Sequence, residues 1–219
     1  MPGQTTKPST TDDLVGSNGG ENTKPLVTIS GQHGAGAHEV GAALAEKLGV
    51  GLFDYRVLDN IVTKVNDDQN IKSWLDRQKG ALHANWMKSF TYKSGKDMTS
   101  YLPYLVRTIM AIVPNGGVII GHGAHLILVD ANVLRLKVES GPKVCAQRIA
   151  AKHGITIKAA GKLSAKVNKE RISLVQDVYD HFPTEKTYYD LSLSSEILSV
   201  DQIVKITIAA MKEANLPVR

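Results

Sequence analysis

The sequence predicts an α/β domain in which a parallel sheet is covered on both faces by helices. Three observations predict it. Short β-branched runs alternate with longer segments of helical periodicity along most of the chain. Of the 219 residues, 42% are hydrophobic and 21% charged, the balance of a globule with a buried core. No apolar run reaches the roughly 20 residues that span a bilayer, which excludes a membrane helix. A chain of this length holds one sizeable domain and is short for two.

Taken in order, residues 1–25 (MPGQTTKPSTTDDLVGSNGGENTKP) are almost free of apolar side chains and cannot offset the entropy of ordering by burial. They are expected to form a flexible N-terminal tail that is dispensable for folding and available to a protein partner. They lack a basic start followed by an apolar stretch, so the expected location is cytoplasmic. The domain is expected to occupy 26–219. LVTIS predicts a strand over 26–30, and HEVGAALAEKLG a helix with Val40, Leu44 and Leu48 at helical spacing, stopped by Gly49.

After GLFDYRVLDNIVTKVN comes a polar, weakly periodic region, 66–97, with Trp74 and Trp86, expected to be a helical cap. TSYLPYLVRTIMAIV reads as helix if Pro103 lies in its first turn. VIIGHG predicts a strand over 117–121, and the alternation of VLRLKVES one over 133–139. GPKVCAQRIAAKHG predicts a helix ending at Gly154, followed by a further helix through ITIKAAGKLSAKVNKERISLVQDVYDHF. A last strand, 189–193, within YYDLSLSS precedes a closing helix, VDQIVKITIAAMKEAN. Strands separated by helices run parallel.

A single cysteine, Cys145, excludes an intramolecular disulfide and a multi-cysteine zinc site, and suits a buried thiol. The net charge of +5 suits an anionic ligand, but no arginine-rich run or aromatic-interleaved basic strand points to nucleic acid.

The stretch VTISGQHGAGAHEVGAAL runs from strand to helix through a glycine-rich turn. Gly31, Gly34 and Gly36 keep the spacing of a phosphate-binding loop G-x-x-x-x-G-K, which aims backbone N–H groups and a helix N-terminus at phosphate oxygens. Ala37 stands where that loop puts its lysine. On these residues alone a simple strand-to-helix turn remains an equal reading.

From Leu26 to about Met211 the chain resembles the cytidylate kinase-like family, a divergent branch of the nucleoside monophosphate kinases. The resemblance is carried by S30-G31-Q32-H33-G34-A35-G36-A37-H38-E39-V40-G41 and continues, in order, in EKLGVGLFDYRVLD, GGVIIGHGAHLIL, ANVLRLKVESGPKVCAQRIAAKHGI, KVNKERISLVQDVYDHF and YYDLSLSS. It implies a three-layer α/β/α P-loop fold with a parallel sheet and a helical cap or lid. ATP and Mg²⁺ are the implied cofactors, and a small-molecule nucleotide or other phosphorylated acceptor the implied partner.

The resemblance also implies roles for particular residues. Gly31, Gly34, Ala35, Gly36, Ala37, His38 and Glu39 would hold phosphate; Arg148, Lys169 and Arg171 would be the catalytic cations of the lid; and Asp54, Arg107 and His122 would serve the acceptor. Against the family pattern, Glu39 is read in place of the hydroxyl that holds magnesium, His38 and His122 in place of arginines, and Cys145 in place of the first lid-helix arginine. Glu39 is therefore open to two readings, a first-turn acidic residue favoured by the helix dipole and a magnesium ligand. Asp54 is equally open to a helix N-cap and a substrate-side role. His33, His38, His122 and His125 fall in two loops expected to be neighbours, which raises a histidine metal site or, for His38 and His122, phosphate donation.

Three functions follow: a kinase moving the ATP γ-phosphate to a CMP-like or other small acceptor, a catalytically silent relative that binds nucleotide or another anion, and a basic nucleic-acid-binding module. The loss of a phosphate-directed cation can lower a rate by about 10³-fold or more. With Ala37, His38, His122 and Cys145 several phosphate-directed cations are weaker or missing, and the sum of such losses is what separates the first two.

Overall fold

The structure, a computed structural model, describes residues 24–67, 98–181 and 189–218. Its centre is a five-stranded parallel sheet of order β2-β3-β1-β4-β5. The strands are β1 (Leu26–Gly31), β2 (Leu52–Phe53), β3 (Gly117–Ile120), β4 (Leu134–Glu139) and β5 (Leu191–Ser194). The run from Leu26 is the central strand, pairing Val27 with Val118 on one side and with Leu134 on the other. That position explains why Leu26, Val27, Thr28 and Ile29 are all buried, since both faces and both edges of β1 are covered.

Alternate side chains of the sheet feed two cores. Val27, Ile29, Val118, Leu134, Leu136 and Val138 pack with Val40, Leu44 and Leu48 of α1 (Ala37–Leu48) and with Ile203, Val204 and Met211 of α7 (Val200–Glu213). Leu26 and Ile119 face the other way, onto Leu58 and Val62 of α2 (Tyr55–Asp67), Leu102, Leu105 and Ile109 of α3 (Met98–Ile112), and Leu126 of the short α4 (Ala124–Ile127). The result is the three-layer α/β/α architecture that the period-2 and period-3.6 patterns imply. Two further helices, α5 (Pro142–His153) and α6 (Ile157–His181), pack on each other through Ala146, Ile149, Ala150 and Ala160 and lie over the C-terminal edge of β1. Helix α7 starts with a capping box, in which the Ser199 hydroxyl accepts from the Gln202 N–H and the Gln202 side chain accepts from the Ser199 N–H.

The expected strands over 26–30, 117–121, 133–139 and 189–193 lie within two residues of the observed bounds. The last begins later because Asp190 is occupied as a clamp: its N–H reaches the Arg135 carbonyl while its carboxylate takes the Arg135 N–H and guanidinium. Pro103 falls in the second turn of α3, not the first. A missing N–H there removes one helical hydrogen bond. Burial of Leu102, Leu105, Val106 and Ile109 along the same helix offsets that loss. The tail lies outside the described residues except for Lys24 and Pro25, whose carbonyl accepts from the Gly117 N–H. The cap likewise lies outside them beyond Asp67, the end of α2.

His125 is buried at 4% exposure, with Nδ1 3.4 Å from the Ser30 hydroxyl and its ring stacked on Tyr189. Burial first, and then the Arg135 charge, push its pKa down to about 4. A histidine whose folded pKa is depressed must take up a proton on unfolding, so its contribution is intact above about pH 6.5 and declines as pH falls toward about 4, by roughly 3 kcal/mol at most. Chemical denaturation between those pH values should show this loss, and His125→Gln should flatten the profile.

Candidate nucleotide-binding site

The glycine-rich turn leaves the C-terminal end of the central strand and enters α1 at Ala37. Gly34 (φ 92°) and Gly36 (φ 86°) are left-handed, and Gly36 is the N-cap residue of α1 without any side-chain cap. A helix start capped by no side chain leaves its first N–H groups directed outward, the arrangement that receives an anion. Gly34 is also required by space, because a Cβ there would lie 2.7 Å from the Cys145 carbonyl oxygen.

Helix α6 holds the turn from one side. The Asn168 side-chain oxygen accepts from the His33 N–H at 2.8 Å, and the Ser164 hydroxyl donates to the His33 carbonyl at 3.1 Å. Arg171, on the same helix, donates to the Gly31 carbonyl at 3.3 Å, and its guanidinium lies 6.0 Å from the Tyr55 ring centroid. Arg148, on α5, holds the other side: it donates to the Ser195 hydroxyl at 2.9 Å, to the Ser195 carbonyl at 2.7 Å and, more distantly, to Gly34 O at 3.5 Å. The Ser195 hydroxyl in turn donates to Ala35 O at 2.7 Å. Burial, followed by the charges of Arg171, His153 and Lys152, lowers the His33 pKa, so the surroundings of the turn are electropositive.

The structure thus brings Gly31, Gly34, Ala35, Gly36, Ala37, Arg148 and Arg171 together around one turn. Lys169 is exposed on α6. Arg107 is 8% exposed within α3, its guanidinium 5.8 Å from the Tyr104 ring centroid. Ser164, Asn168 and Ser195 were missed by sequence reasoning. Asn168 and Ser164 stand four residues apart on one helix face in LSAKVN, a spacing that could have signalled a joint clasp, whereas Ser195 carries no local signal because its partners are 47 and 160 positions away.

The two carboxylates near the turn have defined partners. Asp54 is the N-cap of α2: Oδ1 accepts from the N–H groups of Arg56 and Val57, both at 3.0 Å, and Oδ2 lies 3.2 Å from His38 Nε2. Asp54→Ala should therefore cost about 1 kcal/mol, a fall in Tm of about 2–4 °C, while Asp54→Asn should retain the cap and most of the stability. Glu39 meets Lys152 of α5 at 3.3 Å. Burial alone would raise the Glu39 pKa, but its backbone hydrogen bond and Lys152 outweigh burial and hold it below the usual value. Counted from Gly31, moreover, the hydroxyl position of a G-x-x-x-x-G-K-[ST] loop falls on His38, so Glu39 does not replace it.

Mg²⁺, which the fold family implies, is poorly matched by these side chains: the hydroxyl is an imidazole, and each neighbouring carboxylate is already engaged by a cationic or imidazole partner. The histidines do not converge either. His38 turns to Asp54, His125 to Ser30 and Tyr189, and His122 to Asp59, whose Oδ1 is 3.1 Å from its Nε2 and also accepts the Tyr101 hydroxyl. No group of three or more potential metal-ligating His, Cys, Asp or Glu side chains occurs among the described residues. His122 is a non-glycine residue at φ 57°, its ring buried and Nδ1 without a hydrogen bond.

A cleft of about 380 Å³ opens beside the turn, lined by Gly36, Val40, Arg148, Ser195, Ile197 and Val200 among others. Ile197 is 81% exposed at its rim.

Residues 26–197 match the model of the cytidylate kinase-like family. A search of the curated proteins finds no match. Among solved structures, an uncharacterized protein from Eubacterium ventriosum is 18% identical with a TM-score of 0.69, the alignment covering 87% of this chain and 99% of that one. Shikimate kinase from Acinetobacter baumannii, in complex with shikimate, is 13% identical with a TM-score of 0.47 over 88% of this chain and 96% of its own. A gluconokinase from Sinorhizobium meliloti is 14% identical with a TM-score of 0.46 over 88% and 94%. No helix among the described residues is long and apolar enough to cross a membrane.

Proposed function

Since the chain belongs to the cytidylate kinase-like family, we propose that it is a nucleotide-binding phosphotransferase that moves the γ-phosphate of ATP to a CMP-like or other small acceptor. The observation that carries this reading is the uncapped α1 N-terminus at the end of the central strand, with Arg171 across the turn that leads to it. Phosphoryl transfer asks the protein for placed donors and positive charge more than for covalent chemistry. Backbone N–H groups of the turn would take the phosphates, and the guanidinium of Arg171 would face charge developing on the transferred group.

The cleft along Arg148 and Ser195–Val200 adjoins the turn and suits the nucleoside. The acceptor would approach from the opposite side, where Asp54, Tyr55, Asp59 and His122 lie between α2 and the end of β3. A coupled assay with ATP and a panel of nucleoside monophosphates and small hydroxyl compounds tests the proposal. Turnover with at least one acceptor is expected, and Arg171→Ala should reduce it by about 10³-fold, the scale of an arginine finger.

A second reading has its own support: Ala37 and the His38–Asp54 pair leave the turn without the lysine and hydroxyl of an active loop. On that reading the protein binds nucleotide or another anion as a regulatory or structural subunit. Saturable ATP binding by calorimetry with no turnover across the panel would select it.

A further inference from the structure

We infer that the turn from Gly31 to His38 takes a nucleotide polyphosphate as the free anion, with no metal ion held by the protein, so that ATP is preferred over its magnesium complex. The inference rests on the nucleotide-binding reading above and specifies the charge state of the ligand. Its basis is how the charged groups around the turn are paired. Asp54 faces the side chain at the position where the loop hydroxyl would stand; one of its oxygens is consumed by two backbone N–H groups of α2 and the other lies 3.2 Å from His38 Nε2. Glu39, one residue further on, is held by Lys152.

The two guanidiniums at the turn are partnered differently. Arg171 meets the Gly31 carbonyl and the Tyr55 ring, and Arg148 meets the carbonyls of Gly34 and Ser195 and the Ser195 hydroxyl. All these partners are uncharged, so both arginines keep their full charge for a ligand, while the Glu39 charge is met by Lys152 and both oxygens of Asp54 are engaged by the α2 N–H groups and His38. A hard divalent cation needs carboxylate or hydroxyl oxygens to anchor it. A site with uncompensated guanidiniums and engaged carboxylates favours the more negative ligand, and metal-free ATP carries two more negative charges than its magnesium complex.

Calorimetry of the full chain with ATP, once in EDTA and once with excess magnesium chloride, tests this directly. The expected result is a higher affinity in EDTA than in magnesium. His38→Ser, which supplies the loop hydroxyl and releases Asp54, should shift the preference toward the magnesium complex by about tenfold, equivalent to about 1.4 kcal/mol. Asp54→Asn, which retains the α2 cap, should leave the ratio of the two affinities unchanged.

Binding as tight or tighter in magnesium, or a loss of affinity in Asp54→Asn confined to the magnesium titration, would overturn the inference while leaving the nucleotide site in place. Failure of ATP to bind in both buffers would overturn the nucleotide-binding reading and the inference with it. Circular dichroism of each variant separates these outcomes from misfolding.

Discussion

Gly34→Ala should lower the stability of the domain by about 2–5 kcal/mol and remove nucleotide binding together with it. The residue sits at φ 92°, a conformation that an L side chain adopts only with strain, and its Cβ would lie 2.7 Å from Cys145 O and 2.9 Å from Cys145 Cα. Backbone strain contributes about 1–3 kcal/mol, and the clash, being with backbone instead of a movable side-chain end, about as much again. For a domain of this size the Tm should fall by roughly 5–15 °C. Relief requires the turn to move away from the start of α5, which would disturb the Arg148–Gly34 contact and the Ser195–Ala35 hydrogen bond. Thermal unfolding and ATP calorimetry on the same preparation check both effects. An unchanged Tm would mean that the packing of the turn on α5 is looser than described.

Ala37→Lys should strengthen ATP binding by roughly ten- to hundredfold, the equivalent of about 1.5–3 kcal/mol for one charge-assisted hydrogen bond to phosphate. Ala37 is the first residue of α1, directly after the left-handed Gly36, so the ammonium of a lysine there would reach back across the turn. Half-buried Ala37 packs against the core beneath α1, and the longer stem must leave that contact, so unfolding measurements should accompany the titration. Turnover should rise with affinity only while Arg171 is present, and Ala37→Lys combined with Arg171→Ala should lose the gain in rate. If neither the wild type nor the lysine variant binds ATP, the glycine-rich stretch is a connection between strand and helix and nothing more.

Much of the fold was legible in the sequence because burial leaves a local imprint. β1 is buried at four consecutive positions, Leu26 to Ile29, since it is central in a sheet covered on both faces, and β4 alternates, Leu134, Leu136 and Val138 turning inward between Arg135 and Lys137. Gly49 and Gly154 stop α1 and α5 with left-handed residues, which a composition-based reading locates to the residue. Pro103 was misplaced because whether a helix extends upstream of a proline depends on the packing of its apolar face, to which local propensity is blind.

The site divides along the same line. Residue identities alone determined the glycine spacing, the absent lysine and the order of segments that the chain shares with its family. Only the tertiary structure decided which charges remain free to act. In the sequence Arg148 and Arg171 are equivalent lid cations and Asp54 and Glu39 equivalent carboxylates; in the fold, Asp54 caps α2 and meets His38, Glu39 meets Lys152 113 residues away, and the two arginines meet uncharged groups. The physical reason is range. A strand or helix is specified by neighbours a few positions apart, whereas the free charge of a side chain depends on groups within a few ångströms in space, which the chain brings from anywhere along its length.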